Sequence, residues 1–398
     1  MKYALILPDG AADGPVDSLG GRTPLEAADK PHMDWIAING RQGTMITIPK
    51  GMPADSGVAT LSVIGYDPKE WYPGRAPIEA AARRIRLGAD DLVFRCNLVT
   101  LIDGRMEDFS AGHIRQEEAE RLVAELNHRL GDENVTFHPG ISYRHLCVIK
   151  NAAGWKVQCT QPHDIPGEKV SRYMPRGRGS RFVRQLIRRS QEILVNHEVN
   201  QVRRDLGENP ATSIWLWGQG GRPRFRRFVD VYGVRAAAVG AVDIFRGLAS
   251  LMGWRMIPVE GATGYIDTNY EGKGKAAVAA LDAYDMVVVH IEAPDEAGHS
   301  RDVAAKVEAI EKIDRHIVGP LLERLQSSGS DWRIMVAPDH PTPVATGTHS
   351  TDPTPFCIAG KMIFGHSRPG PFGETNAAAS DFHAPRGHEL MEYFLKVP

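Results

Sequence analysis

The sequence predicts an α/β fold: a mainly parallel sheet flanked by helices, with a smaller α+β domain inserted. Three observations carry that expectation. Short, continuous apolar runs such as "YALIL" (3–7) and "MVVVH" (286–290) read as strands buried on both faces. Helical patterns alternate with them, as a parallel sheet with crossover helices requires. The middle of the chain breaks the alternation, with one helix followed by strand-like runs.

Taken in order, "YALIL" opens the core. "FRCNLVT" (94–100) closes its first part, expected over residues 1–104. The helical pattern "RQEEAERLVAELNHRL" (115–130) is followed by "YRHLCVIK" and "WKVQCT", which read as a strand pair. These place an inserted α+β domain and its connector at 105–189. The connector, "SRYMPRGRGSRFVRQLIRR" (171–189), is arginine-rich and reads as a hinge, a phosphate-attracting arm or a solvated helix face after a loop. The core resumes over 190–398 with "SIWLWG" (213–218), "GVRAAAVG" (233–240), "MVVVH" and "RIMVAP" (333–338) as strands. Between them lie helices at 241–254 and 302–325. In the second, Val307, Ile310, Ile313, Ile317 and Leu321 recur at three- or four-residue spacing and form one apolar face.

Composition narrows the class. At 42% hydrophobic and 24% charged residues, with a net charge of −2, the chain has no basic surplus for nucleic acid and no acidic tail. Its four cysteines, Cys96, Cys147, Cys159 and Cys357, contain no CxxC pair, which fits a reducing cytoplasm and neither a disulfide scaffold nor a zinc ribbon. No apolar run approaches the roughly 20 residues of a membrane span.

Four stretches concentrate chemistry at or just beyond strand ends, where open α/β sheets bind ligands. Asp9 follows the first strand, in a place where Asp-Gly is also a common turn. Ser56 precedes a helix-like segment, either as an N-cap or as a nucleophile beside N–H groups that face an anion. Asp295 and His299 stand four apart, so on a helical turn both project to one side and can share a cation. His290 and Glu292, on the strand end before them, read as supporting or structural groups. Asp339 and His340 follow "RIMVAP" in a loop stiffened by Pro341 and Pro343, and His349 lies beyond. Carboxylate and imidazole ligands with an alcohol suit Mn2+ or Zn2+, with Mg2+ or Co2+ also admissible. Two close cations would activate the Ser56 hydroxyl and neutralise a phosphoryl group.

Together "LPDGAADGP", "ADSGVATLSVIGYDP", "FRCNLVT", "ATGYIDTNYEGK", "HIEAPDEAGH" and "PDHPTP…HSTDP" resemble the cofactor-independent phosphoglycerate mutases of archaeal type, in the alkaline phosphatase superfamily. The resemblance runs nearly end to end. It implies an alkaline-phosphatase-like core and a two-metal site, with Asp9, Ser56, Asp339 and His340 on one ion and Asp295, His299 and His349 on the other. It also implies a phosphoserine at Ser56 that interconverts 3- and 2-phosphoglycerate in glycolysis, with the inserted domain closing over this small phosphorylated substrate.

Two stretches depart from that pattern. The family's Ser-Asp-Val-Ala-Asn reads Ser56-Gly57-Val58-Ala59-Thr60 here. A Leu-Leu-Arg-Gly-Ala-Gly-like stretch reads "WLWGQGGRP" (215–223), similar to a bacterial branch proposed to phosphorylate homoserine. Trp217 and Gln219 replace its arginine region, and Arg222 or Arg224 are substitutes to consider. The alternatives are therefore an intermolecular phosphotransferase acting on homoserine, or a phosphatase. In the inserted domain Arg144, His145, His163 and Asp164 are expected to meet substrate. Lys273 joins them from the loop "YIDTNYEGKGK", whose Asp267 and Asn269 are at most supporting groups.

Overall fold

A computed structural model describes residues 1–365 and 370–396. The chain divides into two compact units, Met1–Tyr72 with Phe225–Pro398, and Pro73–Arg224.

The first unit is built on an eight-stranded sheet, among the described residues. Its order is Arg255–Met256, Ala236–Val239, Met286–Ile291, Lys2–Pro8, Trp332–Val336, Thr354–Gly360, Arg41–Met45 and His383–Ala384. The first five strands are mutually parallel, Thr354–Gly360 is antiparallel to both neighbours, and His383–Ala384 runs parallel to Arg41–Met45. The sheet is thus mainly parallel, as expected. Lys2–Pro8 sits centrally, with Ile6 beside Val289 on one strand and Val336 on the other. Its side chains from Tyr3 onward are buried, which is why the run is continuous and not alternating. Helices Pro31–Asn39, Tyr270–Ala283 and Val303–Ile313 contribute Ile36, Ala277 and Ile310 to a single apolar cluster against Ala4, Ile6, Val287 and Ile334.

The long pattern at 302–325 is not one helix. It runs as Val303–Ile313, a wide π turn at Asp314–Val318, and Gly319–Gln326. Pro320 offers no N–H to the turn before it, which accounts for the local change of helical pitch. The apolar face survives: Ile310, Ile313, Ile317 and Leu321 are all fully buried.

The second unit is wider than the expected insertion at 105–189. The reason is strand pairing. Leu92–Ile102, expected in the core, pairs with Arg144–Ile149 on one side and with Ser213–Gly221 on the other. "SIWLWG" therefore belongs to this unit and not to the core sheet. The expected pairing of "YRHLCVIK" with "WKVQCT" is also replaced. Arg144–Ile149 pairs with Val135–Ile141, whereas Lys156–Gln158 pairs with Arg176–Arg178. Helices Gln116–Leu130 and Ser180–Leu194 bury Leu122, Leu126, Leu186 and Ile187 in one cluster with Phe94, Cys147 and Leu216. The arginine-rich connector thus ends in a helix with a buried apolar stripe and an arginine-bearing outer side.

Candidate active site and metal centre

The parallel strands of the first unit end together, and the loops after three of them carry the predicted ligands. Asp9 follows Lys2–Pro8, and its N–H donates to Ile291 O at the end of the neighbouring strand. Gly10 comes next with φ +63, and an added Cβ would lie 2.6 Å from Asp295 Oδ1. Only glycine lets the first loop pass this close to the second. Asp295 lies in the short helix Ala293–His299, and the four-residue spacing acts as expected, with His299 Nε2 3.1 Å from Asp295 Oδ2. Asp339, His340 and Thr342 follow Trp332–Val336 and are fully buried.

Ser56 is the first residue of helix Ser56–Val63, capped by the Asp55 carboxylate, which accepts the Gly57 N–H at 2.8 Å. Its hydroxyl stands 3.0 Å from His340 Nε2. The same Nε2 lies 3.2 Å from Asp9 Oδ1 and 3.8 Å from Asp339 Oδ2. Asp9, Asp339 and His340 thus form one cluster with Ser56, and Asp295, His299 and His349 form a second. His349 Nε2 is 3.4 Å from Asp295 Oδ1, and the His340 and His349 rings are 4.1 Å apart, so the two clusters adjoin. All seven expected ligands converge.

The donor set fits metal ions by a test of lone pairs. His299 Nδ1 faces Gly347 O at 2.9 Å, and His349 Nδ1 faces Ala54 O at 3.2 Å. Each carbonyl accepts from Nδ1 and turns Nε2 inward, the two Nε2 atoms 3.0 Å apart and both beside Asp295. Hydrogen bonds to Asp295 push the His299 pKa up to about 9 and, against the effect of burial, raise that of His349. A metal ion would take the place of those Nε2 protons. His340 repeats the pattern, with Nδ1 facing Pro341 O at 3.3 Å. Asp9 Oδ1 is buried with no hydrogen-bond donor, and its approach to His340 Nε2 therefore sets two acceptors face to face. Lone pairs aimed at one another in a buried site call for a cation.

Electrostatics agree. Burial, then the neighbouring Asp339 and Asp295 charges, push the Asp9 carboxyl well above the usual carboxylate range. Burial and the Asp9 charge do the same to Glu292. Burial also acts to raise Asp295, but hydrogen bonds with His299 and His349 outweigh it and hold the group well below the usual range. A divalent ion would reverse the repulsion among these carboxylates.

Supporting contacts come from His290, expected in a supporting or structural role, and from Thr342 and Thr60, to which the sequence assigned none. His290 Nε2 bonds Asp9 Oδ2 at 2.9 Å while its ring stacks on Phe245, so it orients that carboxylate. Thr342 donates its hydroxyl to Asp295 Oδ1. Thr60, one of the departures from the family pattern, donates to Asp339 Oδ2 at 2.9 Å. The position that lost asparagine still serves the site, through a hydroxyl.

The other expected contacts fare differently. Lys273 is fully buried, its ammonium facing Thr263 O and His290 O at 3.4 and 3.5 Å. Burial pulls its pKa down to about 8. One of those carbonyls, His290 O, belongs to the end of strand Met286–Ile291. In the second unit His145 is also buried, accepting the Gly140 N–H at Nδ1, and burial pulls its pKa down to about 3. It is therefore neutral and internal. Arg144, set over the Tyr143 ring, and His163 and Asp164, both well exposed, remain accessible.

Trp217 is buried, donating Nε1–H to Asn97 Oδ1 at 3.0 Å, and Gln219 donates to Val157 O. Both are held by their own unit. The strand alongside supplies a guanidinium: Arg95 pairs in register with Trp217, stacks on its ring at 4.5 Å and lies 3.3 Å from Glu79. Arg222 and Arg224 are exposed.

Known proteins resemble this arrangement closely. The family model described as 2,3-bisphosphoglycerate-independent phosphoglycerate mutase matches residues 37–200. A protein of that name from Methanosarcina mazei is 50% identical over 358 residues, which is 90% of each chain. The structure of a protein from Pyrococcus horikoshii aligns with TM-score 0.82 at 31% identity, covering 100% of this chain and 97% of its own. A cofactor-independent phosphoglycerate mutase from Thermoplasma acidophilum aligns with TM-score 0.67 at 26% identity over the whole of both chains.

Proposed function

The chain belongs to the 2,3-bisphosphoglycerate-independent phosphoglycerate mutases, and from that membership we propose that it interconverts 3- and 2-phosphoglycerate through a phosphoserine on Ser56. The observation that carries the residue assignment is the convergence of Ser56 Oγ with His340 Nε2 and Asp9 Oδ1 beside the Asp295–His299–His349 cluster.

Asp9, Ser56, Asp339 and His340 would hold one divalent ion, and Asp295, His299 and His349 the other. Bound there, the ions would lower the hydroxyl pKa of the serine and offset phosphoryl charge. Mixed imidazole and carboxylate donors favour manganese or zinc, with cobalt or magnesium admissible.

The chain's own groups account for the rest. Ser56 Oγ forms the new bond to phosphorus as the bond to the glycerate 3-oxygen breaks. The 2-hydroxyl of the same glycerate then takes the phosphoryl group and frees the serine. Ser56 sits at a helix start, the positive end of the helix dipole. His290, Thr60 and Thr342 fix the carboxylates through one hydrogen bond each. A reaction on a glycolytic intermediate fits a cytoplasmic enzyme, and no described helix is long and apolar enough to cross a membrane.

A coupled assay converting 3- to 2-phosphoglycerate with added Mn2+ tests this. Ser56→Ala is expected to lower turnover by roughly a thousandfold or more while leaving the protein folded. A phosphorylated second molecule such as homoserine phosphate, with no mutase turnover, would move the reading to intermolecular transfer.

A further inference from the structure

Outside the ligand set, one buried charge pair reaches every ligand-bearing segment that follows a strand. Lys306, on helix Val303–Ile313, has no exposed surface. Its ammonium donates to Asp13 Oδ2 at 2.7 Å, to Thr342 O at 2.9 Å and to Ala12 O at 3.3 Å. Three donors meet three acceptors, so the group is saturated.

Each acceptor belongs to a loop that carries ligands. Ala12 and Asp13 lie on the loop after Asp9, and Thr342 follows Asp339 and His340. Lys306 itself is placed by the helix that directly follows the Asp295–His299 segment. Asp13 extends the tie: its Oδ2 also accepts the Val344 N–H at 3.1 Å, and its Oδ1 accepts the Gly14 N–H. The two loops meet further at Thr342 N–H to Ala12 O, 3.2 Å, and at bridges from Ala11 and Ala12 to Pro341. Thr342 is thus held from both ends, by its carbonyl to Lys306 and by its hydroxyl to Asp295.

We infer that Lys306, paired with Asp13, is a positioning residue that fixes the spacing of the Asp9 loop, the Asp339–His340 loop and Asp295, and thereby sets metal affinity. A pair used only for packing would have no need to tie together the loops that carry the two clusters of proposed ligands. A buried ion pair adds little net stability over apolar replacements of similar volume. Its retention here matches a requirement for geometry. Supporting groups of this kind commonly change metal affinity by about 10–100-fold when removed.

The inference rests on the metal reading above, and calorimetric titration with Mn2+ separates the two. Full-length wild type, Lys306→Met and the double variant Lys306→Met/Asp13→Leu are each stripped with chelator, melted, and then titrated. Lys306→Met is expected to melt lower without metal, because Asp13 is left buried and uncompensated, and to bind Mn2+ about 10–100-fold more weakly. The double variant is expected to regain most of the metal-free melting temperature yet keep the weakened binding. A folded double variant that binds Mn2+ as tightly as wild type overturns the inference alone. Wild type that takes up no Mn2+ overturns the metal reading and the inference with it.

Discussion

At the scale of single residues, the site depends on which ring nitrogen each histidine turns inward. His299 and His349 donate from Nδ1 to backbone carbonyls, which turns both Nε2 atoms inward onto Asp295. Removing one should empty one site and spare the other. His299→Ala is expected to lose one equivalent of metal by elemental analysis, and unchanged content would refute the assignment. The convergence of the seven proposed ligands was legible in the sequence because strand ends, the four-residue spacing of Asp295 and His299, and the proline-stiffened loop each constrain position locally. The burial of Lys273 and His145 was not legible, because burial is not local. Each is a polar residue in a plausible loop or strand, enclosed by elements far away in the chain. Thr60 shows the converse, since its loss of the usual asparagine looked disruptive until Asp339 appeared 2.9 Å away.

At the scale of elements, continuous apolar runs gave the central strands, whereas pairing partners stayed hidden. Nothing local in "FRCNLVT" or "SIWLWG" tells that they pair with one another and not with the core sheet. The short helix Glu374–Ala378 offers a test of how an element far along the chain steadies the Asp9 loop. Glu374 accepts the Asp13 N–H at 3.1 Å and the Thr23 hydroxyl at 2.6 Å, and burial pushes its pKa up to about 7. Below about pH 4.5 the carboxyl is protonated in both folded and unfolded chains, and its full contribution is present. As pH rises, the unfolded chain ionises first, and stability falls until the folded carboxyl also ionises near pH 7. The loss amounts to at most about 3 kcal/mol. Denaturant melts of metal-free protein across pH 4.5–7 should show this slope in wild type. Glu374→Gln should make it shallower, the raised Asp9 and Glu292 carboxyls keeping a slope of the same sign, and an equal slope in the variant would exclude Glu374 as a contributor.

At the scale of the whole molecule, the chain forms two compact units, and the proposed metal ligands belong to only one. The second unit is continuous, Pro73–Arg224, with its own sheet and buried helices. Expressed alone, it should fold and melt cooperatively. Chelator should lower the melting temperature of the full chain while leaving that fragment unchanged. A fragment that is disordered by circular dichroism would show that its core is not self-sufficient.

That continuity also bears on how the protein is made. Asp9 and Ser56 leave the ribosome first, and an entire second core is synthesised before Asp295, His299, Asp339, His340 and His349 follow. At about 5–20 residues per second, the earliest ligands wait on the order of ten seconds or more for their partners. The central strand waits too, because both neighbours of Lys2–Pro8 lie in the last third of the chain. Strand Lys2–Pro8 therefore cannot pair with either neighbour until the last third is made, and neither proposed ion would have its full set of ligands before then.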